Sequence, residues 1–126
     1  MIRILVVDDD DAIRALFSQK LKNTGYDVSL ASSGEEGLSQ ASQVHPDLIL
    51  LDILLPGGMD GMELLKRLRQ TEWGKATPVI VLSNLDATGQ ILHDILEAKP
   101  AYYIVKVRTT PDEVIQKVTE VVSKTA

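Results

Sequence analysis

The chain has 126 residues, 44% of them hydrophobic and 25% charged, and no cysteine. That is the size and composition of one globular domain, with room for a core that needs neither disulfides nor cysteine-bound zinc. With 13 basic against 18 acidic residues the net charge is −5, and no basic run occurs, so direct nucleic-acid binding is not expected.

The N-terminal MIRILVVDDD turns acidic after a short apolar run, unlike a signal peptide. No apolar stretch approaches the ~20 residues that cross a bilayer. A cytoplasmic location without membrane contact is expected.

In chain order, Ile4-Leu5-Val6-Val7 is the first continuous apolar run and reads as a strand buried on both faces. VVDDDD follows, and four like charges in a row need an offset. Asp11 stands immediately before Ala12-Ile13 and is expected to cap the first helix, with Asp10 on the rim and Asp8 and Asp9 at the strand end. Ile13, Leu16, Phe17 and Leu21 form that helix's apolar face. YDVSLA at 26–31 alternates and reads as an edge strand. Ser33 with Glu36 resembles a capping box opening a helix to about Val44. Leu48-Ile49-Leu50-Leu51 is the third strand, ending in Asp52. Asp60-Gly61 is a turn and helix start, and Leu64, Leu65 and Leu68 mark the third helix. Trp73 reads as packing, and His45 and His93 as surface residues. Val79-Ile80-Val81-Leu82 is the fourth strand, ending in Ser83. Ile91, Leu92, Ile95 and Leu96 mark the fourth helix. Tyr102-Tyr103-Ile104-Val105 is the fifth strand, ending in Lys106. Thr110-Pro111-Asp112-Glu113 opens the last helix, whose apolar face is Val114, Val118, Val121 and Val122.

Strand and helix alternate five times, which implies an α/β domain with a parallel sheet covered on both faces. Four of the five strands end in a polar side chain at the same sheet edge, where open α/β sheets bind ligands. Two carboxylates ~4 Å apart repel by ~4 kcal/mol at an effective dielectric of ~20, and Lys106 alone does not neutralise three. A divalent cation with oxygen ligands does, with magnesium favoured and manganese possible. An Asp carboxylate can also act as a nucleophile and form an aspartyl phosphate.

This set of residues resembles the receiver domain of two-component response regulators, of the single-domain chemotaxis type, over nearly the whole chain. Asp8-Asp9 match the family's metal-binding acidic pair and Asp52, in LLDILLPGGMDG, its phosphoacceptor. Ser83, Lys106 and Tyr103 match the hydroxyl, lysine and switch aromatic. The resemblance implies one receiver domain over 1–126 with a flavodoxin-like fold of strand order 2-1-3-4-5. It also implies Mg2+ held by Asp8, Asp9, Asp52 and the Leu54 carbonyl. A histidine kinase or phosphotransfer protein would be the donor, and Asp52, Lys106 and Ser83 would carry the chemistry. The downstream protein target would dock on the fourth helix, fifth strand and fifth helix. The protein would be a monomer or a phosphorylation-dependent dimer, and no enzyme beyond its own phosphorylation and dephosphorylation.

The sequence departs from that pattern at several places. Gly57, Gly58 and Met59 lengthen the loop between Pro56 and Asp60 by one residue, which makes it more flexible. Asn84 replaces a small residue beside the phosphoryl position. Val107 follows Lys106 where the family has a cis proline. A trans Lys106–Val107 bond is expected, since a non-proline cis bond costs ~3 kcal/mol, with Lys106 aimed differently. Lys99-Pro100 leaves the fourth helix without a terminal left-handed glycine. Leu54 and Leu85, two residues after Asp52 and Ser83, cannot orient water, so slow self-hydrolysis is expected. The alternatives are a phosphorylation-independent pseudo-receiver, which Asn84 and Val107 keep open, and a haloacid-dehalogenase-like phosphatase, which the missing Asp-x-Asp-Gly-Thr disfavours. A flavodoxin is disfavoured because no phosphate loop follows the first strand.

Overall fold

The computed structural model describes residues 1–84 and 88–125. Five parallel strands, β1 (Arg3–Val7), β2 (Asp27–Ala31), β3 (Leu48–Leu51), β4 (Val79–Ser83) and β5 (Tyr102–Val105), form one sheet in the order β2-β1-β3-β4-β5. The helices between and after them are α1 (Asp11–Thr24), α2 (Gly34–Val44), α3 (Gly61–Arg69), α4 (Gly89–Glu97) and α5 (Pro111–Thr125). This is the flavodoxin-like order that the resemblance to receiver domains implies.

Side chains in a strand alternate between faces, and each buried run therefore feeds two cores. Leu5, Val7, Ile49, Leu51, Val79 and Val81 pack with Leu64, Leu65 and Leu68 of α3 and Ala41 of α2. Ile4, Val6, Leu48, Leu50, Ile80 and Leu82 pack on the other face with Phe17 and Leu21 of α1 and the valines of α5. Burying a Leu, Ile or Val in this way stabilises by about 1.5–3 kcal/mol per side chain. At the edge, β2 keeps Val28 and Leu30, with Tyr26 just before it, against the α1/α5 core.

The helix ends show where local chemistry decides the chain path. The first helix is capped by Asp10, not Asp11: its Oδ1 accepts from the Ala12 and Ile13 N–H groups at 2.9 and 3.2 Å. Asp11 is the first helical residue and pairs with Arg14. The reason lies one step earlier. Asp8 Oδ1 accepts from the Asp10 N–H at 3.0 Å, an Asx-type turn that brings Asp10 into the cap position. Ser33 caps α2 through the Glu36 N–H at 3.1 Å. The return bond of that box goes from the Ser32 N–H to Glu36 Oε1, one residue earlier than in the standard box. Asp60 caps α3 through Glu63, and Thr110 caps α5 through Glu113.

Two helix faces are less buried than their patterns suggest. On α1, Leu16 is 37% exposed while Ser18 is buried. On α4 only Ile95 is buried; Ile91 and Leu96 are 49% and 58% exposed. This helix ends without glycine, as expected: Ala98 is right-handed and Lys99 takes the left-handed conformation, with φ +54°. His45 likewise ends α2 at φ +48° and stacks on Trp73, centroids 4.8 Å apart.

Candidate functional site

The register of the sheet assembles the site. Val7 pairs with Leu51 across β1 and β3, so the next residues, Asp8 and Asp52, leave adjacent strands side by side. The Asp52 N–H donates to the Val7 carbonyl at 2.9 Å and the Asp8 N–H to the Ala31 carbonyl at 3.1 Å. The edge strand β2, whose last side chain is only an alanine, thus positions Asp8 through its backbone. On the other side, Ser83 pairs with Val105, which places Lys106 next to it at the same edge.

Asp8, Asp9 and Asp52 each offer a carboxylate oxygen, and the three lie within 4.8 Å of one another. Asp8 and Asp52 are buried, at 3% and 6% exposure, and Asp9 is exposed. Lys106 opens a single 3₁₀ turn, Lys106–Arg108. Its Nζ donates to Asp8 Oδ2 at 2.7 Å and to Asp52 Oδ2 at 3.2 Å. Among the described residues no peptide bond is cis. The Lys106–Val107 bond is therefore trans, and the lysine still reaches both carboxylates. Asp52 Oδ1 accepts from the Leu54 N–H at 3.0 Å, which fixes the carboxylate plane. Leu54 itself is half exposed.

The electrostatics follow from this packing. Burial pushes the Asp8 carboxyl above its ordinary range, helped by the Asp52 charge and opposed by the bonds from Lys106 and the Asp10 N–H. For Lys106, burial pulls the ammonium down, but the Asp8 bond and the charges of both aspartates outweigh it, and its affinity for the proton is raised. Lys106 therefore stays charged. One ammonium faces three carboxylates, and the surplus negative charge, presented by oxygen donors only, suits Mg2+ or Mn2+. The donor set fits such an ion.

Ser83 is fully buried at the end of β4, and Tyr103 is half-buried and packs against the α2/α3 core. Asn84 is exposed. Leu85 lies outside the described residues. His45 and His93 are away from the cluster, His93 pairing with Glu97 at 3.0 Å. In the lengthened loop Met59 is buried and anchors the far end, while Gly57 takes φ +95°.

Two contributors escaped the sequence reading. Arg14 donates from Nη1 to the Asp8 carbonyl at 2.6 Å, bracing the acidic turn from α1. Gly61 lies so close to the end of β3 that a Cβ there would stand 2.1 Å from the Asp52 carbonyl oxygen. Its N–H donates to the Ile53 carbonyl at 3.0 Å. An arginine three residues into a helix and a glycine after Asp carry no signal that separates these duties from ordinary capping.

Comparison with known proteins agrees with the geometry. Residues 4–119 match the response regulator receiver domain family. The alkaline phosphatase synthesis transcriptional regulatory protein PhoP of Bacillus subtilis is 45% identical over 84 residues, covering 67% of this chain and 34% of PhoP. The DNA-binding dual master transcriptional regulator RpaA of Synechocystis is 46% identical over 91 residues, 72% of this chain and 36% of RpaA. The matches thus span about a third of the length of these relatives. Among solved structures, the Francisella response regulator 1452 receiver domain superposes with a TM-score of 0.87 at 32% identity, covering 100% of both chains. The CheY-like receiver domain protein from Methanospirillum hungatei does so at 0.88 and 31%, covering 98% of this chain and 95% of that one. The chain belongs to the response regulator receiver domain family of two-component signalling.

Proposed function

We propose that the chain is a single receiver domain acting as a phosphorylation switch, with Asp52 as the acceptor and a histidine kinase or phosphotransfer protein as the donor. One observation carries this reading: Asp8, Asp9 and Asp52 converge within 4.8 Å under the ammonium of Lys106. In the reaction an Asp52 carboxylate oxygen forms a bond to phosphorus as the phosphorus–nitrogen bond of the donor phosphohistidine breaks. The electron pair leaves on the imidazole. Lys106, already beside Asp52 Oδ2, binds the oxygens on which charge develops. The Leu54 N–H holds the other Asp52 oxygen and orients the nucleophile. Asp8, Asp9, Asp52 and the Leu54 carbonyl would hold Mg2+, which when bound offsets charge on the transferring group.

Ser83 and Tyr103 then respond to the new phosphoryl group and bias a two-state output face. That face is α4, β5 and α5, where Ile91 and Leu96 already stand exposed; a downstream protein docks there, and dimerisation follows phosphorylation. Neither Leu54 nor Leu85 can orient a water, so the acyl phosphate is long-lived. The only catalysis is of the domain's own phosphorylation and dephosphorylation. No described helix is long and apolar enough to cross a membrane.

The test is to add Mg2+ and beryllofluoride, a phosphoryl mimic, and record amide NMR spectra of the wild type and Asp52→Ala. An Asp52-dependent change reaching residues of α4 and β5 is expected. No such change would favour a phosphorylation-independent pseudo-receiver, and steady turnover of a generic phosphate ester would favour a haloacid-dehalogenase-like phosphatase.

A further inference from the structure

The acidic pocket lies at the carboxyl ends of the strands; the opposite end of the sheet is charged the other way. There, beneath the amino ends of β4 and β5, a cleft of about 490 Å³ opens between the ends of α3 and α5. That volume falls in the ordinary range for small-molecule sites. Arg69, Lys75, Lys99 and Lys124 line it together with an apolar floor that includes Pro78, Ala101 and Val121, and among the described residues no acidic side chain lines it. In a chain with 13 basic residues and a net charge of −5, four cations in one cleft run against the overall field.

The plain structural reading is that cations there neutralise helix carboxyl ends. Arg69 already fills that role. Its Nε donates to the Ala98 carbonyl at 2.7 Å and its Nη1 to the Gly74 and Thr77 carbonyls at 2.9 and 2.7 Å. Its Nη2 adds the Lys99 carbonyl at 3.3 Å. With those carbonyls satisfied, Lys75 and Lys99 are surplus to that role, and only Lys124 stands in the last turn of its own helix. Among the described residues, Lys75 and Lys124 make exposed pairs, with Glu72 at 3.0 Å and Glu120 at 3.4 Å, which exchange readily. Lys99 is the independent sign. It holds φ +54°, a conformation that suits glycine and strains a long side chain. The fold keeps a cation at a position where glycine would be easier.

We propose that this cleft binds a phosphorylated small molecule of nucleotide size. Its phosphates would meet Lys75, Lys99 and Lys124, and its apolar body would rest on Pro78, Ala101 and Val121. Such a ligand would act on the same β4 and β5 whose far ends carry Ser83 and lead into Lys106.

The probe is ATP without divalent cation at constant ionic strength, followed by amide NMR, with pyrophosphate and adenosine titrated separately. Saturable shifts confined to 75–78, 99–102 and 121–124 are expected, with ATP binding more tightly than either part. The double variant Lys99→Gln/Lys124→Gln should bind about tenfold more weakly or worse while keeping its melting temperature. Lys22→Gln, on α1, should bind as the wild type does. Unsaturable shifts spread over all lysines, shifts centred on Lys106, or binding undiminished in the double variant would each overturn the proposal. So would tighter binding of a polyglutamate peptide than of ATP, which would make the cleft a protein-docking surface.

Discussion

Replacing Lys106 by Met keeps the length and apolar stem of the side chain and removes only its charge. The ammonium sits 2.7 Å from Asp8 Oδ2 and 3.2 Å from Asp52 Oδ2, on carboxylates whose side chains are 4% and 7% exposed. Each attraction at these distances is about 5–6 kcal/mol at an effective dielectric of ~20, and burial of the charges offsets much of it. Deleting one partner of such a buried network typically costs about 3–5 kcal/mol, because the remaining charges are left uncompensated. A loss near ~3 kcal/mol at neutral pH is expected, with a fall in melting temperature of roughly 10 °C for a domain of this size. The loss has a distinctive dependence on conditions. Without the lysine, which opposes the rise, the Asp8 carboxyl binds its proton more tightly still in the fold than in the unfolded chain, so the deficit shrinks as pH falls into the carboxylate range. Added Mg2+ should also shrink it, because the variant's pocket lacks the competing ammonium and binds the ion more tightly: a tenfold lower dissociation constant than the wild type, with the ion in excess of both, returns about 1.4 kcal/mol. Thermal unfolding followed by circular dichroism at pH 7 and pH 5, with and without Mg2+, reads all four corners. An equal drop in every condition would refute the electrostatic account and leave Lys106 a packing residue.

Three further outcomes follow from the same geometry. Asp10→Ala should destabilise by about 1 kcal/mol through loss of the α1 cap, whereas Asp11→Ala, which breaks only an exposed pair with Arg14, should change stability by a few tenths; urea denaturation separates them. Gly61→Ala should cost more than ~3 kcal/mol, because its Cβ would meet backbone at 2.1 Å, while Gly58→Ala, facing only Glu35 Oε1 at 3.4 Å, should be tolerated; the same denaturation curves decide. Affinity for Mg2+ should fall on acidification at a pH above the ordinary carboxylate range. The raised Asp8 pKa makes the folded, metal-free protein hold a proton that the ion must displace. For the same reason Asp8 contributes stability to the metal-free fold below its unfolded pKa and loses it as pH rises through the folded one. Calorimetric titration of Mg2+ across pH 4–7 measures the effect, and a flat affinity would contradict it.

The strands and the edge where the polar groups gather were legible in the sequence, because fully buried parallel strands announce themselves as continuous apolar runs; their order in the sheet came only from the family resemblance. The identities of Asp8, Asp52, Ser83 and Lys106 followed from a single rule, the first polar residue after each run. What the sequence could not separate were neighbours of the same type. Asp10 and Asp11 are both good caps, and the choice rests on the bond from the Asp10 N–H to Asp8 Oδ1, a feature of the folded turn. Apolar periodicity also cannot say what covers a helix face: Ile91 and Leu96 belong to the same apolar pattern as Ile95, yet Ile95 is buried and the other two stand exposed on α4. Arg14 looked like any helix-surface charge until the fold brought the Asp8 carbonyl within its reach. Lys99 showed only as a missing glycine, and its left-handed backbone became visible with the structure.

The central claim is that Asp52 accepts a phosphoryl group in a magnesium-dependent way. The direct measurement is to incubate the protein with a small phosphodonor such as phosphoramidate, with and without Mg2+, and map the product by peptide mass spectrometry. One phosphoryl group is expected on the peptide containing Asp52, absent without Mg2+ and absent in Asp52→Asn. Incorporation elsewhere, or none at all in the presence of the ion, would contradict it.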